Sequence, residues 1–252
     1  MKVSLVIPVY NEAGHLSDFL RQVDDLTFTG VEKELVIIDD CSRDESRSIL
    51  TAFNFKSQVK LHLQDFNQGK GAAIRKGVEL ASGDIIGVQD ADFEYSMEDL
   101  PAIIAPIVAG KADVVFGSRF KGTVVQVHRT FHYLINRFLT TLSNLFSGLY
   151  LTDMETCYKF FRADVIKNIK LESNRFGFEP EITAKIACLK LKIIEVPIWY
   201  FPRNYLEGKK ITWKDGLAAL NHLFVFNFLR KPKDFLSPEL PKCYIPHGRQ
   251  WL

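Results

Sequence analysis

The sequence predicts an α/β protein: a single doubly wound, mostly parallel sheet with amphipathic helices in its C-terminal part. Three observations predict it. Short, nearly continuous apolar runs recur through the first half, the mark of strands buried on both faces. Each run is followed by about ten residues with helical apolar spacing, which makes right-handed crossovers between parallel strands. Polar residues gather where the runs stop, at the carboxyl ends of the strands, where open α/β sheets bind ligands.

The elements follow in order. "VSLVIPVY" is the first strand, with a helix pattern from Ala13 to about Leu26. "KELVIIDD" is the second strand, with a helix from Asp44 to Phe53. "VKLHLQD" is the third, with a helix from Lys70 to Leu80. "DIIGVQDAD" is the fourth, followed by a helix from Glu98 to Val108, and "DVVFGSR" is the fifth. From Phe131 to Leu149 apolar residues return at helical spacing and define a long amphipathic helix. A strand-like "CYKFFR", a helix from about Glu181 to Leu191 and a strand "KIIEVPIWYF" come next. The basic stretch "RNYLEGKK" leads into a helix from about Thr212 to Leu229 that is apolar nearly all round. The proline-rich remainder shows no periodicity. The expected organisation is one domain over residues 1–230, with amphipathic, possible membrane-facing helices at 127–150 and 212–230, and an irregular tail at 231–252.

Composition narrows the function classes. A chain of 252 residues has room for a large core. A net charge of +2 gives no global case for a nucleic-acid partner. Cys41, Cys157, Cys188 and Cys243 are scattered, which argues against a zinc site or a disulfide framework and fits a reducing cytoplasm. The opening "MKVSLVIPVYNE" turns polar too soon for a signal peptide, and no apolar run reaches the roughly 18 residues of a spanning helix.

The strand ends carry the chemistry. Tyr10, Asn11 and Glu12 follow the first strand, Asp39 and Asp40 the second, Asp90 and Asp92 the fourth, Ser118 and Arg119 the fifth. In "DIIGVQDADFEYS" carboxylates stand at every second position, Asp90, Asp92 and Glu94. Neighbouring carboxylates repel one another unless a cation neutralises them. Hard oxygen ligands suit Mg²⁺ or Mn²⁺, which keep open positions for substrate phosphates. Arg119, Arg129, Arg203, Lys209 and Lys210 lie in loops or at element ends, and guanidinium groups grip phosphate bidentately. Carboxylate-held metal together with several cations is equipment for a diphosphate. The glycines of "NQGKGAA" lack the spacing of a phosphate loop or a dinucleotide fingerprint and read as a tight turn into a helix.

With "IPVYNE", "IIDDCSRD", "NQGKGAA", "QDADFEY" and "DVVFGSRF" in this order, the chain resembles family-2 glycosyltransferases of the dolichol-phosphate mannose synthase type, a group that includes bacterial polyprenyl-phosphate glycosyltransferases. The likeness runs on through "LTDMETCYKFFR", "RFGFEPEITAK" and "RNYLEGKKITWKDG", over roughly residues 3 to 230. It implies a nucleotide-sugar-binding GT-A fold and an inverting, metal-dependent sugar transfer. Pro8, Tyr10, Glu12 and Asp40, with Asp39 beside them, would face the nucleotide. Asp90 and Asp92, with Ala91 between them, would hold Mg²⁺ or Mn²⁺ against the donor diphosphate, and Glu94 takes a third ligand position. Arg119, Arg203 and Lys209 match positions that contact donor phosphates, Arg129 one that faces the acceptor phosphate, and Asp153 a recurrent acid. Lys70 matches poorly and is given no site role.

The donor would be a GDP- or UDP-linked sugar and the acceptor a polyprenyl phosphate or another membrane lipid. The enzyme would be cytoplasmic and peripheral on the cytoplasmic face of the membrane, with room for an oligomer. Many bacterial relatives carry spanning helices after this region, where this sequence has its proline-rich segment. A lipid phosphate acceptor is already anionic and needs positioning by cations. A hydroxyl acceptor on a lipopolysaccharide, glycan or protein would need a carboxylate base, Asp153 or Glu179. A nucleotide-binding protein without turnover is the reading from another class.

Overall fold

The computed structural model describes residues 1–122, 130–202 and 213–246. Seven strands form one sheet: β1 (Lys2–Val9), β2 (Glu32–Asp39), β3 (Gln58–Leu63), β4 (Ile85–Val88), β5 (Val114–Ser118), β6 (Lys159–Arg162) and β7 (Ile193–Pro197), in the order β3-β2-β1-β4-β6-β5-β7. All neighbours are parallel except β6, which runs antiparallel to both β4 and β5. The sequence shows a strand here but not its direction. That direction brings the residues that enter β6 to the same edge as the carboxyl ends of the parallel strands.

Between the strands lie α1 (Ala13–Asp25), α2 (Ser46–Ala52), α3 (Lys70–Leu80) and α4 (Leu100–Val108), each close to its expected place. Helix α2 starts at Ser46 rather than Asp44 because the Asp44 carboxylate turns back to accept the Ser46 amide, at 3.0 Å. Later come α5 (Thr130–Ser147), the short α6 (Ala163–Ile166), α7 (Phe178–Ala187), α8 (Trp213–Phe224) and the short α9 (Pro232–Phe235). Helix α7 begins at Phe178, ahead of the expected Glu181, with acidic residues Glu179 and Glu181 in its first turn, where they favour the helix dipole. Helix α8 passes into a π-helical turn at Val225–Leu229.

The core matches the apolar runs. Val3, Leu5, Ile7 and Val9 of β1, Leu35 to Ile38 of β2, and Val114 to Phe116 of β5 have no exposed surface. Two features anchor the periphery. Lys185 of α7 is buried, pairs with Glu181 at 2.6 Å, and lies about 5 Å from the rings of Phe226 and Phe235, so α7 holds the turn that follows α8 and the end of α9. The segment after 230, expected as an irregular tail, has little regular structure but is docked. Phe235, Leu240 and Tyr244 are buried, and Lys190 N donates to Tyr244 O at 2.8 Å. Apolar side chains spaced without period can still seat a chain, and periodicity does not detect them.

Candidate functional site

The carboxyl ends of β1 and β2 are laced together by side chains. Asn11 N donates to Ser42 Oγ (3.0 Å), Glu12 N to Ser46 Oγ (2.9 Å) and Ala13 N to Asp44 Oδ2 (3.0 Å), while Asn11 Oδ1 accepts the Arg43 amide (2.7 Å). Despite partial burial, hydrogen bonds from Ser46 and Ala13 hold the Asp44 carboxyl below the usual range. Asp39 is fully buried and pairs with Arg47 Nε at 2.5 Å. Asp40 accepts from Gln64 Nε2 (3.1 Å), Asn67 Nδ2 (2.9 Å), Gln68 N (2.7 Å) and Gly69 N (2.7 Å), and so shapes the turn into α3. Burial pushes the Asp40 carboxyl up, against the Gln68 and Gly69 amides, with the Asp39 charge adding to the rise. Pro8 pairs in register with Ile38; Pro8 and Tyr10 are half-buried, and Glu12 Oε2 lies 2.8 Å from His15 Nε2.

The glycines of "NQGKG" are explained by close approach. Gly69 has φ +97, and a Cβ there would meet Asn174 O at 2.3 Å; one on Gly71 would meet Ser173 O at 2.4 Å. The amides of Gly71 and Ala72 donate to Arg175 O and Asn174 O. The first turn of α3 is therefore occupied by protein carbonyls and is no phosphate cradle.

At β4 the carboxylates spread apart. Asp90 pairs with Lys70 Nζ of α3 at 2.9 Å, and the same ammonium lies 3.5 Å from Glu179 Oε1 of α7. Burial disfavours the Lys70 charge, yet Asp90 and then Glu179 raise its pKa above the ordinary lysine value. Asp92 Oδ1 accepts the Glu94 amide at 3.1 Å, and Glu94 Oε2 accepts Tyr200 OH at 3.0 Å. Ala91 is buried. Among the described residues no three His, Cys, Asp or Glu side chains converge to hold a metal ion by themselves. Asp90 and Asp92 remain a fitting pair of hard oxygen donors, because Mg²⁺ and Mn²⁺ commonly take one or two carboxylates and complete their shell with substrate phosphates and water. Glu94, engaged with Tyr200, fits that set least.

Beyond β5, Arg119 grips Asp153 with Nε (2.7 Å) and Nη2 (2.8 Å), and its own amide donates to Asp153 Oδ2 (3.0 Å). The guanidinium carbon stands 5.0 Å from the Tyr200 ring centre. Asp153 is fully buried. Burial works against its charge, but Arg119 prevails and holds the carboxyl below the usual range. A carboxylate whose two oxygens are both taken by one fork suits an anchor for Arg119 better than a base. Two residues near Asp153 add to the picture: Lys159, which opens β6, is fully buried, and Glu155 is half-buried with its carboxyl pushed up to about 7 by burial and then by Glu179. Arg129, Arg203 and Lys209, and with them Lys210, lie outside the described residues.

Non-glycine residues with positive φ, among those described, are Asn11, Cys41 and Phe93, one in each turn beyond β1, β2 and β4. Such backbone costs on the order of 1 kcal/mol each and persists where the surroundings impose it, typically at functional sites. The sequence reading gives Lys70 no site role and does not single out Glu155, and the structure brings both to this edge. The tight glycines around Lys70, and a lysine inside the apolar run "CYKFFR", were the available signals.

Comparisons with known proteins bear on the fold and the family. A Mycobacterium tuberculosis glucosyl-3-phosphoglycerate synthase, solved with Mn²⁺, UDP-glucose and glycerol 3-phosphate, superposes with a TM-score of 0.66 at 17% identity, covering 91% of this chain and 81% of that one. At this identity the likeness establishes the fold, the GT-A type. A dolichol-phosphate mannosyltransferase of Pyrococcus furiosus is 29% identical over 89% of this chain and 63% of its own length. An undecaprenyl-phosphate mannosyltransferase of Micrococcus luteus is 30% identical over 88% of this chain and 92% of its own. For the Pyrococcus protein and a Haloferax volcanii hexosyltransferase, the chain spans 63% and 53% of the relative's length. The model of glycosyl transferase family 2 matches residues 4–170, and the chain belongs to that family.

Proposed function

We propose that this protein transfers a sugar from a GDP- or UDP-linked donor to a polyprenyl phosphate at a membrane surface, with inversion at the anomeric carbon. The observation that carries the proposal is the Asp90–Lys70 pair beside Asp92 at the end of β4, with the Arg119–Asp153 fork across the edge. The nucleotide would lie over the ends of β1 and β2, beside Tyr10, Glu12 and the Asp39–Asp40 turn. Asp90 and Asp92 would hold a bound Mg²⁺ or Mn²⁺, which supplies positive charge to the diphosphate leaving group. Asp153 holds the Arg119 guanidinium in place, so its charge is set before substrate arrives rather than organised during the reaction. The acceptor oxygen attacks the anomeric carbon on the face opposite the diphosphate, and an anionic phosphate needs orientation rather than a strong base.

Two helices supply the surface. Leu134, Phe138 and Leu145 of α5 are 57%, 58% and 76% exposed and share one face. Leu217, Phe224 and Phe228 of α8 and its π turn are 57%, 52% and 55% exposed, also on one face. The Phe146 and Phe228 rings, 4.8 Å apart, join the two helices. Exposed Lys231 and Lys233 follow directly. Apolar faces with basic flanks lie in the headgroup region of anionic bilayers. Among the described residues no helix is long and apolar enough to cross a membrane.

The test is incubation with labelled nucleotide sugars, Mn²⁺ and vesicles carrying undecaprenyl phosphate, with Asp92→Ala as control. Metal-dependent labelling of the lipid by the unchanged protein alone is expected. Equal labelling by both proteins, or a product glycosidically linked to a glycan, defeats the reading.

A further inference from the structure

The loop that enters β6 is pinned on both sides of Glu155. Thr152 N and Asp153 N donate to Glu195 Oε1 at 2.8 and 3.2 Å, and Met154 N to Thr140 Oγ1 at 3.1 Å. The buried Lys159 ammonium donates to the carbonyls of Met154 and Thr156, which flank Glu155. Cys157 N donates to Tyr95 OH at 3.2 Å. A loop tied at this many points aims its side chains. Yet Glu155 Oε1 is enclosed and has no hydrogen-bond partner among the described residues. Thr156 Oγ1, next in the chain, is likewise enclosed and without a partner among the described residues. Enclosed polar atoms normally find partners, and two orphans side by side in a loop held this firmly ask for a ligand.

Position narrows the ligand. Along the sheet the order β2-β1-β4-β6-β5 sets the sequence of strand ends. With the nucleotide over β2 and β1 and its diphosphate at β4, the sugar and the acceptor fall at the loop before β6. The charged groups that act on Glu155 come from four elements: Glu179 of α7 and Asp153 of its own loop repel, Lys159 of β6 and Arg119 beyond β5 attract. Lys70 of α3 is turned to Asp90 and Glu179. Two ionised carboxylates here would repel an anionic acceptor. A neutral carboxyl group has an O–H to give.

We propose that Glu155, as the neutral acid, donates a hydrogen bond to the phosphate of the acceptor and orients it for attack. This rests on the lipid-phosphate reading given above. Glu155 keeps its proton throughout. An ionised phosphate oxygen forms the bond to the anomeric carbon, and the bond to the nucleotide diphosphate breaks with its electron pair. Because burial and Glu179 hold the Glu155 carboxyl at about 7 before the acceptor arrives, a bound phosphate raises it further, and acceptor binding takes up a proton above neutrality.

The experiment measures steady-state kinetics with undecaprenyl phosphate in vesicles between about pH 7 and pH 9, where a phosphate monoester is already a dianion. Three proteins are compared: the unchanged chain, Glu155→Gln, which retains an N–H donor and cannot ionise, and Glu155→Ala. For the unchanged chain the KM for lipid phosphate rises about tenfold or more across this range. Glu155→Gln shows a flat KM and a kcat within about threefold of the unchanged chain, while Glu155→Ala shows a KM raised about tenfold at both ends of the range. Donor binding by calorimetry, alike in all three, shows that each is folded. Two results overturn the proposal: Glu155→Gln as impaired as Glu155→Ala, which would require the ionised form, or Glu155→Ala with an unaltered acceptor KM. Labelling of a glycan instead of lipid phosphate by the unchanged chain removes the acceptor reading itself and is seen before any variant is compared.

Discussion

The two halves of the site edge treat negative charge in opposite ways. Over β1 and β2, Asp39 and Asp40 are saturated by protein donors: Arg47 on one, two side-chain amides and two backbone amides on the other. Over β4 and β6, Asp90 leans on a lysine that it shares with Glu179, and Glu155 Oε1 has no partner among the described residues. The first half uses carboxylates to build a turn. In the reading proposed above, the second leaves them to be completed by what binds. Carboxylates along one edge of the sheet thus differ in how many protein donors they hold, and under the proposed function that donor count separates scaffold from chemistry.

Substitutions can break that contrast. The largest effect is expected for Asp90→Asn: transfer falls on the order of a thousandfold. Stability by urea unfolding stays within about 1 kcal/mol, because Lys70 keeps Glu179. A collapse in stability would place Asp90 with the scaffold. Next comes Asp153→Asn, which leaves Arg119 buried without its counter-charge and is expected to cost about 3 to 5 kcal/mol in the same measurement. Glu34, buried at the far end of β2, offers a pH test remote from the site. Burial opposes its charge, but Ser4, Ser82 and Lys60 bring its carboxyl down to about 2 from 4.5. Its contribution is fully present above about pH 4.5 and disappears as pH falls through about 2, worth about 3 kcal/mol. Comparing acid unfolding of the unchanged chain and Glu34→Gln reads that difference directly. The smallest effect is expected for Asp40→Ala: about 2 kcal/mol of stability, with a weaker donor KM and a kcat little changed at saturation. Full stability with donor binding abolished would move Asp40 to the open half.

Much of the fold was legible. Buried strands betray themselves as apolar runs, and the strand ends at Asp39, Asp40, Asp90, Asp92 and Arg119 mark the edge because parallel sheets place them together. The direction of β6 was not legible, since four residues of "KFFR" read the same either way. Lys70 escaped because a lone lysine at a helix start looks like any surface lysine until α3, β4 and α7 are brought together. Glu155 escaped for a related reason: nothing local distinguishes an acid facing solvent from one whose loop is tied down by Glu195, Thr140 and Lys159. The docked segment after 230 escaped because its buried residues, Phe235, Leu240 and Tyr244, follow no helical or strand period.

The antiparallel strand β6 has a consequence for how the protein is made. Strands β1 to β4 are contiguous in the chain and can pair as they leave the ribosome, but β4 stays an open edge until β6 arrives some seventy residues later. Until then the backbone of β4, all four residues apolar or glycine, is an invitation to pair with another nascent chain. Assembly is thus ordered in time: the half of the sheet built from β1 to β4 forms early, and the half built from β5 to β7 closes last.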